Sequence, residues 1–442
     1  AGEAATSTGR GNDLVPVAKL IVLNSFVGAY GLIQVSMFML VLPRECSVLF
    51  PDRESLGLAG LLGLAGSTQL VCPIAGLFSD RMASPFGRRR PFIVVGTVVL
   101  LLSLSILWYL SNVVHATSDP EEANADTRNL FIAAFFVLNL ALNVCYAAYA
   151  GLIPDFVGDE QLGEASGVMA VINTLGSLLG VWLVGFISVE PFSLYAAWIL
   201  VCCVLTLVVV KESPLVHSPD PISCGEVFRL YFEPLADANF FWVFVSRFLY
   251  YMGVSVQVFI QYFVRDVFHL NSEDAKTQTA LVSIIMLASA SVVAVPCGVL
   301  SDKIGRLPLV NFSCALMAIT YAGWCFSNEL WQILAWSCLF GVANGCFISV
   351  EFAIGCDTLP DRDEHAAQAL GVWGIAAFLG TTLGPVISGP VLFFLSDSDK
   401  PEHYSHLGFT VLLAIGAAFV LSSALALRRL SIRAPDAFDT KL

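Results

Sequence analysis

Residues 76–91 read GLFSDRMASPFGRRRP, and residues 298–308 read GVLSDKIGRLP. Each is a short charged loop between long apolar runs. Gly76, Asp80 and Arg81 in the first are answered by Gly298, Asp302 and Lys303 in the second, a step of 222 residues from 80 to 302. The same step lays Phe26 over Phe248 and Gly31 over Gly253. A second pair, GLIPDFVGDEQLGEASGVMAVINTLGSLLG from residue 151 and CDTLPDRDEHAAQALGVWGIAAFLGTTLG from residue 356, aligns Pro154 with Pro360, a step of 206. The shortfall falls where the loop near 112–128 is much longer than its counterpart near 328–329. A chain that repeats itself over so long a period is one structural unit built twice.

The composition says what kind of unit. Of 442 residues, 57% are hydrophobic and 13% charged, and the mean hydropathy is +0.78, well outside the usage of soluble domains. Apolar windows of about 20 residues, long enough to cross ~30 Å of hydrocarbon as helix, occur twelve times. They lie near 17–43, 55–79, 91–113, 129–153, 165–188, 191–210, 239–264, 278–300, 308–327, 330–356, 366–395 and 407–427. None alternates in polarity as a barrel strand does, and backbone amides in lipid need internal partners, so helices are expected. The predicted fold is an all-α membrane protein of twelve transmembrane helices in two pseudo-symmetric six-helix halves. The expected organisation is a disordered N-terminus over 1–14, a first half over 15–210, a linker with an amphipathic helix over 211–238, a second half over 239–428, and a tail over 429–442.

Lysine and arginine set the expected orientation. With the start in the cytosol, inner segments hold Arg10, Lys19, Arg81, Arg88, Arg89, Arg90, Lys211, Arg229, Lys303, Arg306, Arg362, Arg428, Arg429, Arg433 and Lys441. Outer loops then hold Arg44, Arg53, Arg128, Arg265, Lys276 and Lys400. The positive-inside bias places both termini in the cytosol, in the plasma membrane or an organellar one. A net charge of −13 with no basic patch leaves nothing to hold nucleic acid. Twelve cysteines fall mostly in apolar runs, where they act as small hydrophobes, with Cys46 and Cys224 expected in loops. No nucleophile and base pair, metal-ligand spacing or phosphate loop stands out, so no enzyme, metal or cofactor is expected.

Two parallel six-helix halves resemble the major facilitator architecture, and GVLSDKIGR resembles that superfamily's loop signature. In the fold this resemblance implies, an aspartate at such a helix end meets the positive end of a helix from the opposite half. The arginines engage carboxylates and lipid headgroups. Asp80, Arg81, Gly87, Arg88, Arg89, Arg90, Asp302, Lys303 and Arg306 would form a latch at the cytoplasmic face. The longer form, SDRMASPFGRRRPFI from residue 79, is similar to the SDRxxSxFGRRRPFI of plant sucrose transporters and their relatives in the glycoside, pentoside and hexuronide symporter group. LIQVS at 32–36 resembles their ALQLS. The likeness is strongest over the first four helices. It departs at LNLALN, 138–143, where Asn139 stands at the position of a family aspartate, and the family's arginine in helix five is absent.

Polar side chains in membrane helices are expensive unless they face a cavity or each other. The resemblance implies that helices one, four, seven and ten line a central cavity. Candidates there are Asn24, Gln34, Ser36, Asn139, Asn143, Gln257, Gln261 and Asn344, amides and a hydroxyl suited to a hydroxyl-rich ligand, with Tyr250, Tyr251 and Trp373 to stack on a sugar ring. The competing reading of each is an interhelical hydrogen bond or plain packing. Arg247 lies roughly 12 Å into helix seven and Glu351 roughly 9 Å from the end of helix ten, at ~1.5 Å per residue, so the two are expected to be able to meet. Glu351 is the candidate proton carrier, with Arg247 holding its carboxylate or the substrate. The function expected is a monomeric, proton-linked secondary transporter of a sugar, a disaccharide or glycoside. The alternatives are a carrier of an amino acid, carboxylate or other metabolite, an uncoupled facilitator, or a membrane sensor that does not transport.

Overall fold

The computed structural model describes residues 14–82, 84–116, 125–158, 161–212, 225, 232–359, 366–396 and 403–430; the side chains of 73, 77, 80, 81, 162, 163 and 366–370 are not described. The expected N-terminal lead-in, most of the linker with its amphipathic stretch, and most of the tail lie outside the described residues. Among the described residues, eleven helices are long and apolar enough to cross a bilayer: Ser25–Leu49, Arg90–Ala116, Ala125–Phe156, Glu164–Gly185, Pro191–Val209, Ala238–Val267, Ser272–Ile304, Arg306–Cys325, Leu330–Asp357, Gly371–Phe394 and His406–Leu427. The expected second crossing is present as two helices, Glu54–Thr68 and Val71–Arg81, which brings the crossings to twelve. The break has a local cause. The sequence places a proline at 73, which has no N–H to give the carbonyl of Gln69 four residues back, so a regular helix cannot run through this point.

The first and seventh crossings are also irregular in their second halves. The first passes through a π-helical turn at Met37–Val41 and the seventh through a 3-10 turn at Ser255–Phe259. A π turn frees carbonyls from the regular ladder. The Gln261 side-chain amide, with its nitrogen toward the first crossing, donates to Met39 O at 2.8 Å and Leu40 O at 3.3 Å.

The duplication is visible in the packing. Gly176 and Gly180 on the fifth crossing sit against the carbonyls of Gly28 and Leu32, and Gly380 and Gly384 on the eleventh sit against those of Phe248 and Met252. In each case a Cβ would collide with the facing backbone, so only glycine permits the approach. The steps are 204 between fifth and eleventh crossings and 220 between first and seventh. This corrects the expected register: Phe248 answers Gly28, not Phe26. The reason is that Leu32 to Asp80 spans two residues fewer than Met252 to Asp302, so a step taken at the loops overshoots in the helices. The loops match as well, since Gly87 and Gly305 both adopt positive φ, 104° and 91°.

Hydrogen bonds and ion pairs join the halves at the end remote from the loop at 82–89. There Ser55 Oγ donates to Gly389 O at 3.0 Å, Tyr262 OH to Pro43 O at 3.1 Å, and Arg44 pairs with Glu273 at 3.0 Å. Several side chains expected in loops at this end belong to helices. Cys46 is fully buried in Leu42–Leu49, which continues the first crossing because Pro43 falls in a first turn, where its missing N–H costs nothing. Arg44, Arg128, Arg265 and Lys276 are likewise helical; hydropathy ends a crossing where charge begins, whereas paired charges let the helix run on.

Candidate functional site

The ionisable cluster lies inside the second half. Arg247 and Tyr251 are one turn apart on the seventh crossing and share a face; Glu351 comes from the tenth and Trp373 from the eleventh. Arg247 Nη1 lies 2.9 Å from Glu351 Oε1, and Tyr251 OH donates to the same oxygen at 2.9 Å. The Arg247 guanidinium carbon sits 3.2 Å from the centre of the Trp373 ring, which therefore covers the cation with its electron-rich face. Gly355 makes room for that ring, because a Cβ there would press on the indole. Glu351 and Trp373 are each 7% exposed. The walls are completed by Val243, Val310, Phe347, Ile354 and Leu427.

Charges so placed lose their hydration and are tolerable only as a pair. Yet four polar atoms here have no hydrogen-bond partner: Glu351 Oε2, Arg247 Nε, Trp373 Nε1 and Arg247 Nη1, whose 2.9 Å approach to Glu351 is an ion pair without hydrogen-bond alignment. The carboxylate therefore has one oxygen fixed and one free. In the first half the sequence places Cys145 opposite Glu351, by the step of 206, and Ser25 or, by the packing register, Val27 opposite Arg247. The pair is thus an addition to one half and not a requirement of the repeated framework.

Other candidates fall into separate groups. Tyr250 is fully buried, donates to Asn344 Oδ1 at 3.2 Å and stacks on Phe347 with ring centres 3.3 Å apart, so its face is already covered. Asn143 Nδ2 donates to Thr68 Oγ1 at 2.9 Å, tying the fourth crossing to the break in the second. Asn24 and Asn139 donate to carbonyls of their own helices, Leu20 O at 2.9 Å and Phe135 O at 2.8 Å, and both are buried. Ser36 bonds the Tyr195 hydroxyl at 2.7 Å. Gln34 and Gln257 are half-buried. The structure does not bring Asn24, Ser36 or Asn139 to the Arg247 cluster.

Sequence reading missed four contributors in the first half. Tyr30 and Tyr146, both half-buried, face each other with ring centres 4.6 Å apart, and Gln69 at the helix break has a buried Oε1 without a partner. Asn173 on the fifth crossing is exposed, with its amide where a Cβ on Gly31 would fall. The spacing of Tyr30 and Gln34, four apart on one helix, was the available signal.

At the arginine loop, the cations are held within their own half. Arg88 and Arg89 both pair with Asp155, the backbone N–H groups of Arg89 and Arg90 donate to Glu212 Oε2 at 3.0 and 3.2 Å, and Arg90 donates to Leu207 O at 2.9 Å. The positive φ of Gly87 lets Glu212 approach where a side chain would stand. Arg306 pairs with Asp357, while Asp302 and Lys303 are exposed. The side chains of Asp80 and Arg81 lie outside the described residues.

A family model described as the Major Facilitator Superfamily matches residues 25–291 and 243–439. The chain belongs to the Major Facilitator Superfamily. It is an integral, multi-pass membrane protein of a family of transporters. As a major facilitator protein it is similar to the sucrose transport protein SUC3 of Arabidopsis thaliana, 28% identical over 149 residues, which are 31% of this chain and 25% of that protein. The sucrose transport protein SUT3 of Oryza sativa subsp. indica is also 28% identical over 149 residues, 31% of this chain and 29% of the relative. The match thus spans little more than a quarter of these curated relatives. Among solved structures, the nucleoside transporter NupG covers 94% of this chain and 98% of its own at a TM-score of 0.68 and 13% identity. A D-xylose-proton symporter covers 94% and 97% at 0.67 and 16%. At such identity these likenesses speak for the fold.

Proposed function

We propose that this major facilitator protein is a proton-coupled carrier of a small hydroxylated solute, a disaccharide or glycoside, and that Glu351 carries the proton. The observation that supports it is the Glu351 carboxylate itself: one oxygen held by Arg247 and Tyr251 at 2.9 Å each, the other buried without a partner. A proton added at the free oxygen turns an ion pair into a neutral acid beside a cation. That changes what the seventh and tenth crossings gain by staying together, so proton loading is tied to the arrangement of the helices. Because Asn139 replaces the acid of the sucrose transporters that the first half resembles, Glu351 would take over the titrating role.

The hydroxylated substrate rests on the motif shared with the sucrose transport proteins and on the half-buried Tyr30, Tyr146 and Gln34 beside the Gln69 amide. Amides and phenols both donate and accept, as sugar hydroxyls do. An anionic substrate gripped by Arg247 is less favoured, because Glu351 already occupies the guanidinium. With the arginine loop on the cytosolic side, as its cations suggest, the described contacts between halves belong to a state shut toward the outside.

The test is transport in proteoliposomes. Exchange of a labelled glucoside across the membrane without a gradient, together with its uphill uptake under an inward proton gradient, is the expected behaviour. Glu351→Gln should keep exchange and lose uphill uptake. If Glu351→Gln still accumulates solute against its gradient, the proton assignment is wrong; if glucosides are not exchanged and organic acids are, the substrate class is.

A further inference from the structure

A second polar pocket, of about 380 Å³, opens at the end of the molecule remote from the arginine loop, far from the Arg247 cluster. Both halves build it. Arg44 and Glu45 come from the end of the first crossing, Ser111 and His115 from the third, Glu190 from the start of the sixth, and Glu273 and Lys276 from the eighth.

The charges in its wall are unevenly satisfied. Arg44 and Lys276 share Glu273, each at 3.0 Å. Glu190 caps the sixth crossing, accepting from Phe192 N at 3.1 Å and Ser193 N at 2.7 Å. Glu45 is 4% exposed; its Oε1 accepts from Ser111 Oγ at 2.9 Å and lies 3.2 Å from His115 Nε2, while its Oε2 is buried and has no partner. A buried carboxylate oxygen without a donor is costly, and Glu45 is one of the residues lining this pocket. Three carboxylates there, Glu45, Glu190 and Glu273, face two permanent cations, Arg44 and Lys276, so the permanent charge of the wall leans negative.

We propose that this pocket binds a small organic cation bearing a primary ammonium or guanidinium group, whose N–H donors go to Glu45 Oε2. Nothing in the transport reading uses Glu45, and the site stands whether or not that reading does. Because its wall joins the first half to the eighth crossing, the pocket exists in this form only while the far end is shut. A bound cation stabilises the shut arrangement and slows the cycle without competing for the transported solute.

The experiment uses the purified full chain and butylammonium, with 1-butanol and butyrate as neutral and anionic controls of the same length. Butylammonium is expected to raise the melting temperature in a saturable way and the controls to leave it unchanged. Glu45→Gln should weaken the apparent affinity for butylammonium at least tenfold. Glu190→Gln, which keeps one of its two capping oxygens and loses one charge, should weaken it several-fold and serves if Glu45→Gln does not fold. In proteoliposomes butylammonium should lower the maximal exchange rate and leave the half-saturating solute concentration unchanged. An equal shift with 1-butanol, or an unaltered butylammonium affinity in both variants, overturns the site. Binding with no effect on exchange overturns its coupling to the seam. The melt needs no knowledge of the transported solute, so its outcome is independent of the proton and sugar assignments.

Discussion

Arg265 of the seventh crossing and Glu54 at the head of the second are joined by two hydrogen bonds, of 2.9 and 3.1 Å, across the seam between the halves. Both are buried, with side chains 11% and 7% exposed. Arg265 also holds Asp266, at 2.7 Å, and Asp266 accepts from the Tyr404 backbone N–H at 3.1 Å. Any state open at this end has to separate Arg265 from Glu54. Glu54→Gln removes the charge that crosses the seam while Asp266 still balances the guanidinium, so the cost is that of a weakened charged hydrogen bond, about 1.5–3 kcal/mol. That cost falls on the shut arrangement. The expected result is a shift toward conformers open at this end, read as faster labelling of a cysteine placed at Ser55, while Glu54→Asp, which keeps the charge, labels closer to the parent rate.

The cluster around Glu351 predicts a different pattern. Arg247→Leu strands a buried carboxylate and is expected to destabilise the chain by about 3–5 kcal/mol. Removing both charges, Arg247→Leu with Glu351→Leu, should recover most of the melting temperature and leave uphill transport abolished. Were the pair purely structural, the double variant would recover transport together with stability. Comparing its melt with its proton-driven uptake separates the two.

How much of this could be read from the chain differs between framework and site. The repeat, the twelve crossings and the pairing of Arg247 with Glu351 follow from patterns that sequence carries directly: loop motifs, apolar length and helical rise. The register of first against seventh crossing does not, because a two-residue difference in the link to the next helix is silent until Gly28 and Phe248 are seen under matching glycines. The amides show a similar limit. Asn24 and Asn139 look like Asn143 in sequence, yet they spend their donors on their own helices while Asn143 reaches Thr68. A carbonyl four residues back is always within reach, so residue type alone cannot tell an internal bond from a lining group. Tyr30 and Tyr146 were hidden for the opposite reason, since an aromatic in a membrane helix is compatible with lipid, interface or cavity. Arg265 passed for a loop cation because its partner, Glu54, is 211 residues away.

Gly355 gives a packing prediction. A Cβ there would press on the Trp373 indole, the ring that covers Arg247. Gly355→Ala is expected to cost about 1–3 kcal/mol, the usual range for an overpacked site, and to displace the indole from the guanidinium. Trp373→Leu in the same chain should restore stability by vacating the space. A Gly355→Ala protein that melts with the parent would mean the indole has room to swing aside.

The duplicated glycine contacts allow a prediction that tests the pseudosymmetry itself. Gly180 meets Leu32 O and Gly384 meets Met252 O in corresponding places, and in each a Cβ would collide with the facing carbonyl. Gly180→Ala and Gly384→Ala should therefore each destabilise the chain, by about 1–3 kcal/mol as overpacked contacts. The sites belong to different halves and share no partner, so their effects should add within about 0.5 kcal/mol. The positions differ in one respect: the atom nearest to the added carbon at Gly384 is Ser255 Oγ, whereas at Gly180 the nearest atoms are those of Leu32. Ser255 bonds Met252 O at 2.7 Å from within the 3-10 turn of the seventh crossing, so Gly384→Ala should also disturb that turn. Ser255→Ala is expected to relieve part of the Gly384→Ala penalty and none of the Gly180→Ala penalty, a difference that denaturation of the four variants in detergent would resolve.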